Sequence, residues 1–496
     1  MTALGASGDW MSDAPLMTAW RRFVESDPAP FTIPGHKRRA GGLHPDLGRL
    51  LDADVPLYGG ADSMKLAGGV LADAESRAAA LWGADRCRFS TGGSTHANQV
   101  LCLTVGRPGD TVLVARNAHR SIVSGLVLAG LRPVWIPVGA DPGTGGPRAV
   151  QVDAVRAALA AHPGAVALFL TDPTYQGALA DLPAISHAAH EHGLPVIVDQ
   201  AWGAHLGMAP GYPPHALASG ADAMITSAHK MLPAFSQAAI VLVRTQRIDP
   251  DRMERAFEAT HTTSPSAAIL ASIDASRAFL ASDAGRAALG ATASLVAGAK
   301  QRLGATGLAV LGSGPDQSHR LDPAKLVLLC AASGRDGLAV ERVLLSRGVA
   351  VEMADRDTVV AQVGLTDDQM SIDRLVQGVH AATTEPPGPA RGVCVPTPPI
   401  PPMGLTPRDA FFAGFTTVDR SRSLGRISAE LVAPYPPGVP LLVPGEVITS
   451  DTLGALDASH AAGNRIAYAA DPNLRTLQVV VGDGAPDPAA GERVAQ

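Results

Sequence analysis

The sequence predicts an α/β protein built on a mostly parallel sheet that helices cover on both faces. From about residue 72 to 380, alanine-rich helical stretches alternate with short apolar runs, which is typical of parallel strands joined by helical crossovers. The composition, 46% hydrophobic and 17% charged, is that of a globular protein. Because 496 residues exceed one ordinary core, two or three packed units are expected.

Six apolar runs define the expected sheet of a large domain, which we place at residues 71–300. The runs span residues 111–115, 133–138, 165–170, 195–199, 223–226 and 238–243. Residues 1–70 carry turn signals at paired glycines and at Pro-Gly, so we expect them to form an N-terminal arm.

The character of the sequence changes after this sheet. Residues 267–303 predict one long helix, and residues 301–385 predict a small α+β domain with strands near KLVLLC and GVAVEM. Residues 386–407 are rich in proline, which favours an extended linker. The remainder, residues 408–496, is expected to form a C-terminal lobe.

Charge, hydropathy and cysteine usage exclude several classes of protein. Lys plus Arg is 40 and Asp plus Glu is 46, a net charge of −6, which argues against a nucleic-acid binder. No run of about 18 apolar residues and no secretory signal is present, so we expect no membrane partner. The cysteines lack CxxC spacing, which favours reduced thiols in a cytoplasmic protein and predicts no metal site. They are Cys87, Cys102, Cys330 and Cys394.

Two ionisable residues leave consecutive predicted strands. Asp199 ends the run PVIVD, and Lys230 follows the next run, in ITSAHK, 31 positions later. Because the carboxyl ends of parallel strands face one crevice, both side chains should lie at the same edge of the sheet. A lysine amine and a carboxylate so placed suit pyridoxal phosphate, whose aldehyde forms a Schiff base with lysine and whose pyridine nitrogen pairs with an acid. Considered alone, an aspartate at the end of a strand is more often a turn or capping residue, and a single lysine is more often a charged residue on the surface.

A candidate phosphate site precedes them. In FSTGGSTHANQ, Ser94 and Thr95 stand at the expected start of a helix, where backbone N–H groups and hydroxyls bind anions. Ser227, three residues before Lys230, offers another hydroxyl, and His119 follows a predicted strand where it can lie over a planar ring. The alternatives, a plain helix cap for the serines and a structural role for the histidine, stay open.

The order of these motifs resembles one family. The chain is similar to the ornithine/lysine/arginine decarboxylases of the aminotransferase fold (fold type I pyridoxal enzymes), from about residue 31 to 450. The resemblance rests on FTIPGHKRRAGG, GGADS, FSTGGSTHANQ, RNAHRSIVSGLVLAG, TDPTYQG, VDQAWGAHLG, GADAMITSAHKMLPAFSQAAIV, TTSPSAAILASIDASR and GRISAELVAPYPPGVPLLVPGE. It implies a large domain with a mostly parallel sheet, a small α+β domain and a C-terminal lobe.

The resemblance also implies roles for individual residues. Lys230 matches the Schiff-base lysine, Asp199 the partner of the pyridine nitrogen, and His119 the histidine stacked on the ring. His229 matches a histidine that holds the cofactor and protonates the product carbanion. Ser94, Thr95 and Ser227 match hydroxyls that bind the phosphate. Glu446 matches an acidic residue near the distal amine of the substrate, with Asp62 as the next candidate for that position.

The sequence departs from the family pattern at two places and has its own expected assembly. Gln200 stands where an acidic residue usually follows Asp199, and Gly92-Gly93 replaces the commoner Asn-Gly. Because the motifs begin near residue 31, we expect the short form of the family, without an N-terminal wing domain. The fold implies a homodimer with active sites at the subunit interface.

Three functions follow from this reading. The first is decarboxylation of arginine, lysine or ornithine, which yields carbon dioxide and a polyamine-type amine. The second is transamination or oxidation of a basic amino acid on the same scaffold, since cofactor residues are shared between these reactions. The third is a non-catalytic, cofactor-binding regulatory protein, against which the presence of both Lys230 and Asp199 argues.

Overall fold

The computed structural model describes residues 10–26, 31, 33–55, 69–313, 321–393, 399–435 and 438–482. Its helices are α1 (Pro15–Ser26), α2 (Pro45–Leu51), α3 (Gly69–Trp82), α4 (Gly93–Val105), α5 (Arg120–Ala129), α6 (Val152–Ala161), α7 (Leu182–Glu191), α8 (Ala228–Met231), α9 (Pro250–Thr260), α10 (Ala267–Ala281), α11 (Asp283–Gly304), α12 (Gly337–Ser346), α13 (Gln369–Ala382), α14 (Pro407–Phe412) and α15 (Ser450–Ala461). Its strands are β1 (Arg86–Ser90), β2 (Thr111–Ala115), β3 (Arg132–Ile136), β4 (Leu168–Thr171), β5 (Val196–Asp199), β6 (Ala223–Ser227), β7 (Ala239–Val243), β8 (Ala309–Val310), β9 (Lys325–Leu329), β10 (Met353–Ala354), β11 (Thr358–Gln362), β12 (Phe415–Asp419), β13 (Ala433–Tyr435), β14 (Arg465–Ala467) and β15 (Thr476–Val480).

The large sheet has the strand order β1-β7-β6-β5-β4-β2-β3. β2 to β6 pair in parallel with one another, and β7 runs antiparallel to both of its neighbours. In the register, Thr171 lies opposite Asp199, and Asp199 lies opposite Ile225. The carboxyl ends of β4, β5 and β6 therefore meet at one edge, which is where open α/β sheets bind ligands.

Alternate side chains of each central strand enter different hydrophobic cores. Leu113 of β2 packs in one core, while Val112 and Val114 pack in the other. Val198 and Ile197 of β5 divide in the same way. Both faces of the sheet are therefore covered, which is why its strands read as continuous apolar runs in the sequence.

All six predicted strands of this sheet are confirmed, with ends that shift by up to three residues. β1 was not predicted, because its sequence RCRFS alternates charged with other residues. Arg88 of β1 is nonetheless buried and forms ion pairs with Glu75 and Glu254. The prediction of one long helix was wrong: Ser282 separates α10 from α11 and caps α11 by accepting a hydrogen bond from the backbone of Gly285 at 3.1 Å.

A smaller, four-stranded sheet follows, with the order β10-β11-β9-β8 and antiparallel pairs throughout. The run KLVLLC forms β9, whereas GVAVEM contributes only its last residue, Met353, to β10. Residues of α11, α12 and α13 form the hydrophobic core with this sheet, including Val296, Val340 and Val376. The second half of α11 thus packs with the small sheet.

The C-terminal lobe packs against the large sheet's helices. Two short ribbons, β12–β15 and β13–β14, enclose a separate hydrophobic core. Arg408 of α14 donates hydrogen bonds to the carbonyl oxygens of Val127 and Leu128 at the end of α5, at 3.1 and 2.8 Å. None of the helices in the described ranges is long and apolar enough to cross a bilayer.

Candidate active site

A cavity of about 360 Å³ lies at the carboxyl edge of the large sheet. Its walls come from the ends of β2, β4, β5 and β6, from the start of α4 and from the C-terminal lobe. Seven of the predicted site residues line it together: Ser94, Thr95, His119, Asp199, Ser227, His229 and Lys230. Residues separated by more than a hundred positions in the sequence therefore meet where the sheet topology predicted.

The carboxylate of Asp199 is buried and held in place by Asn98. Asn98 Nδ2, on α4, donates to Asp199 Oδ2 at 2.7 Å and to Ser121 Oγ at 2.8 Å. The backbone N–H of Ala201 donates to Asp199 Oδ1 at 3.2 Å. The sequence analysis missed Asn98, although it stands four positions after Ser94 and so lies on the same face of α4.

His119 belongs to the same hydrogen-bond network. It is the N-cap of α5, and its Nδ1 accepts a hydrogen bond from the backbone N–H of Ser121 at 3.3 Å. Ser121 Oγ lies 2.8 Å from the same nitrogen. Because Nδ1 acts as an acceptor, the proton of the neutral ring sits on Nε2. Burial lowers the pKa of His119, which favours this neutral form.

Lys230 lies on α8, the single turn that follows β6. Burial lowers the pKa of its amine, and the nearby Asp199 opposes that shift. Lys230 Nζ lies 4.4 Å from the centre of the Trp202 ring. A half-buried amine with a lowered pKa is a better nucleophile at neutral pH than a surface lysine, because less of it is protonated.

Trp202 has a second lysine beside it, which the sequence analysis also missed. Lys325 Nζ, from the start of β9, lies 3.7 Å from the centre of the Trp202 ring, and the Lys325 side chain is buried. Tyr175 packs edge-on against Trp202, with ring centres 5.1 Å apart, and its hydroxyl donates to Glu352 Oε1 at 2.6 Å. The small domain therefore contributes to the wall behind the cavity.

The start of α4 forms the predicted anion site. Ser94 Oγ lies 2.7 Å from Ser227 Oγ, so hydroxyls from α4 and β6 meet there. Gly93 has a φ of +70°, and a Cβ at Gly92 would lie 2.7 Å from the Cβ of His96. Two glycines are therefore required for the chain to make this turn.

His229 faces the same cavity from α8. Its Nδ1 donates to the carbonyl oxygen of Ala238 at 2.9 Å, which leaves Nε2 as the ring nitrogen available to a ligand. Burial lowers the pKa of this ring. A lowered pKa makes the protonated form of His229 a stronger acid.

Glu446, the first residue proposed for the distal cation, does not line this cavity. Glu446 is fully buried in the C-terminal lobe, and its Oε2 accepts hydrogen bonds from Arg116 Nη2 and from the backbone N–H of Val443, both at 2.9 Å. Burial raises the pKa of Glu446, and Arg116 opposes the shift. In this subunit Glu446 therefore already has a cationic partner. Asp62 lies outside the described residues.

Comparison with known families gives two matches. The description Orn/Lys/Arg decarboxylase, major domain, matches residues 14–310, and Orn/Lys/Arg decarboxylase, C-terminal domain, matches residues 401–466. The chain is 33% identical over 481 residues to an arginine decarboxylase of Halalkalibacterium halodurans, covering 94% of this chain and 97% of the relative.

Solved structures show the same fold. Lysine decarboxylase A from Pseudomonas aeruginosa superposes with a TM-score of 0.80 at 21% identity, over 95% of this chain and 81% of that one. An alanine–glyoxylate aminotransferase from Nostoc sp. superposes with a TM-score of 0.53 at 19% identity, over 68% of this chain and 92% of that one. The predicted aminotransferase-like fold is confirmed.

Proposed function

Because the chain belongs to the Orn/Lys/Arg decarboxylase family, we propose that it decarboxylates a basic L-amino acid, with arginine as the preferred substrate. The products would be agmatine and carbon dioxide. The observation that carries the proposal is that a half-buried lysine amine, a buried carboxylate and a pair of hydroxyls meet in one cavity, at Lys230, Asp199, Ser94 and Ser227. The relative named arginine decarboxylase supports arginine over lysine or ornithine.

The residues of this cavity fit pyridoxal 5′-phosphate. Lys230 would hold the aldehyde carbon and Asp199 the pyridine nitrogen, while His119 would lie on the ring. The helix start with Ser94 Oγ and Ser227 Oγ 2.7 Å apart suits a phosphate, and Thr95 would add a hydroxyl. A volume of about 360 Å³ lies within the range of small-molecule sites. When bound, this cofactor supplies the sink for the electrons released as the Cα–carboxylate bond breaks.

The residues around the cavity have distinct tasks in this reaction. Asp199, whose carboxylate Asn98 holds at 2.7 Å, would keep a proton on the pyridine nitrogen. His229 presents Nε2, because its Nδ1 is engaged by the carbonyl of Ala238. We propose His229 Nε2 as the donor of the proton that the α-carbon needs after carbon dioxide leaves. The ring donates from its protonated form, in which Nε2 carries a proton while Nδ1 keeps its hydrogen bond to Ala238, and the lowered pKa makes that form a stronger acid.

A substrate panel tests the activity. The protein, loaded with pyridoxal phosphate, is incubated separately with arginine, lysine and ornithine labelled at the carboxyl carbon. Released carbon dioxide is counted, and the products are identified by mass. We expect agmatine from arginine. Keto acid without carbon dioxide would instead indicate transamination, and consumption of oxygen would indicate an oxidase.

Attachment of the cofactor is tested separately from turnover. We expect a visible absorption band that borohydride removes while fixing the cofactor on the Lys230 peptide. Lys325→Met is the matched control, because it removes the lysine that shares Trp202 with Lys230 and should leave the label in place. A label on Lys65, Lys300 or Lys325 would contradict the assignment of Lys230.

We also propose that the protein is a homodimer. Its N-terminal arm exposes large apolar side chains: Phe31 is 97% exposed, Leu43 84% and Leu50 75%. Such clustering on one segment is typical of a surface that a partner covers. Sedimentation of the loaded protein should give twice the mass of one chain, and a monomer at micromolar concentration would contradict the proposal.

A further inference from the structure

The side-chain amide of Asn98 lies where α4, α5 and the end of β5 meet, and it is fully buried. Its Nδ2 donates one hydrogen bond to Oδ2 of Asp199 at 2.7 Å and another to Oγ of Ser121 at 2.8 Å. Ser121 Oγ in turn lies 2.8 Å from Nδ1 of His119. A single amide therefore connects Asp199 with His119, the side chains assigned to the nitrogen and to the face of the cofactor ring.

The orientation of the Asn98 amide follows from the charge beside it. An ionised carboxylate only accepts hydrogen bonds, so the reversed amide would place its own oxygen against that of Asp199. The orientation adopted leaves Oδ1 of Asn98 buried without a hydrogen-bond donor among the described residues, which is unfavourable for folding. Packing alone does not explain an amide that serves Asp199 and Ser121 while its own oxygen has no donor.

The hydroxyl of Ser121 transmits this orientation to His119. Because Ser121 Oγ accepts a proton from Asn98, its own proton is left to be donated, and His119 Nδ1 is the acceptor at 2.8 Å. The backbone N–H of Ser121 donates to the same nitrogen at 3.3 Å. Two donors at Nδ1 hold the neutral ring with its proton on Nε2, and the ring cannot turn without breaking both bonds.

Small residues bring α4 and α5 close enough for the contact between Asn98 and Ser121. Cys102 stands one helical turn after Asn98, and Gly125 stands one turn after Ser121, so each lies on the same helix face as its partner in the network. A Cβ at Gly125 would lie 2.6 Å from Cys102 Sγ. A side chain at residue 125 would therefore push the helices apart and separate the amide from the hydroxyl.

We propose that Asn98 is a positioning residue that acts on the cofactor ring through two side chains at once, directly through Asp199 and, by way of Ser121, through His119. Asp199 Oδ1 accepts the backbone N–H of Ala201 at 3.2 Å, so the carboxylate is held at both of its oxygens. A donated hydrogen bond favours the ionised carboxylate, which is the form that retains a proton on the ring nitrogen. The proposal rests on the proposed function, because it takes from it the assignment of Asp199 and His119 to the ring.

Four substitutions separate the two branches of this network from helix packing. Asn98→Leu removes both hydrogen bonds of the amide at similar side-chain size, and Asn98→Ala repeats the loss with a side chain that fits without rearrangement. Ser121→Ala interrupts only the branch to the histidine. Gln99→Leu is the matched control: Gln99 Nε2 donates to Ser124 Oγ at 3.1 Å, so this change removes the neighbouring amide–hydroxyl bond between the same two helices, a bond that does not involve Asp199.

The first measurement is the pH at which the visible absorption band of the bound cofactor titrates. A proton on the pyridine nitrogen adds positive charge, which lowers the pKa of the Schiff base at Lys230. If Asn98 helps Asp199 to retain that proton, the band of Asn98→Leu and Asn98→Ala should titrate at a higher pH than the band of the parent. Ser121→Ala and Gln99→Leu should leave it unchanged.

The second measurement is the steady-state rate of carbon dioxide release from arginine. Asn98→Leu should lower kcat by about ten- to a hundredfold, the usual effect of losing a hydrogen bond to a charged group, with little change in KM. Ser121→Ala should lower kcat by a smaller factor. In the double variant the loss should be smaller than the product of the two single losses, because both changes interrupt the same branch.

The outcomes distinguish this proposal from the proposed function. A band that titrates at the same pH in both Asn98 variants and in the parent would overturn the proposal, and so would an equal loss of kcat in Gln99→Leu, which would assign the amide to helix packing. A shifted band without carbon dioxide release from any basic amino acid would retain Asn98 as a positioning residue and refute decarboxylation. No visible band in the loaded parent would overturn both.

Discussion

Lys325 is a buried cation, and its removal should stabilise the protein. Burial lowers the pKa of its amine from 10.5 to about 8, with Asp322 and Glu352 opposing the shift and Lys230 adding to it. Lys325 Nζ is buried without a hydrogen-bond partner among the described residues, and its contact is the ring of Trp202 at 3.7 Å. A cation in this environment destabilises the folded state at neutral pH.

The size of this destabilisation follows from the lowered pKa of Lys325. The fall in the pKa of Lys325 from 10.5 to about 8 corresponds to roughly 3–4 kcal/mol, at about 1.4 kcal/mol for each pKa unit. Lys325→Met removes this cost and also loses the contact of the cation with Trp202, worth roughly 0.5–2 kcal/mol. At pH 7 the free energy of unfolding should therefore increase by about 1–3 kcal/mol.

The pH dependence has a definite sign. The pKa of Lys325 is lower in the folded state, so between pH 8 and 10.5 the unfolded state binds more protons. The stability of the parent should then rise with pH through this window, relative to the variant. Below pH 8 the full cost is present in the parent.

Urea unfolding followed by tryptophan fluorescence at pH 7, 8, 9 and 10 measures both effects. Lys37→Met is the control, because it removes a lysine from the N-terminal arm instead. If the free energy of unfolding depends on pH in the same way in the parent and in Lys325→Met, the reasoning is refuted. That result would show that the amine of Lys325 has the same pKa in the folded and the unfolded state.

Three further predictions concern the cavity and the lobe. Asp199→Ala should keep part of the cofactor absorbance but lose more than about a hundredfold in turnover, since a buried charge partner is worth roughly 3–5 kcal/mol; near-normal turnover would mean that another group protonates the ring. Ser94→Ala with Thr95→Ala should weaken cofactor affinity by roughly 1.5–3 kcal/mol for each lost charge-assisted bond, and a titration with pyridoxal phosphate that matches the parent would rule out this phosphate site. Glu446→Gln should lower the urea concentration at the midpoint of unfolding, because it leaves Arg116 without its carboxylate at a cost of roughly 3–5 kcal/mol. The preference of the enzyme for arginine over norleucine should stay the same. A lost preference with unchanged stability would instead make Glu446 the residue that recognises the distal cation.

Much of the site was predictable because parallel strands place their carboxyl ends together. Asp199 and Ser227 end neighbouring strands, and Lys230 follows one turn later. Apolar runs reveal such strands directly, and ionisable residues at their ends are conspicuous. Lys325 was missed because its sequence surroundings are ordinary, and only the packing of β9 brings it beside Trp202. Asn98 stands one helical turn after Ser94 within FSTGGSTHANQ, but its contact with Asp199 depends on how α4 packs against β5.

The sequence by itself determined the order of elements, the two covered faces of the large sheet and the positions of the ionisable groups along it, because these depend on local periodicity and on short motifs. The tertiary structure decided which partners those groups have. Glu446 illustrates the difference: its motif marks a functional residue, but the folded lobe places its carboxylate 2.9 Å from Arg116 Nη2 and away from the cavity. Charge pairing and burial arise between segments that are far apart in the chain, so they are properties of the packed structure.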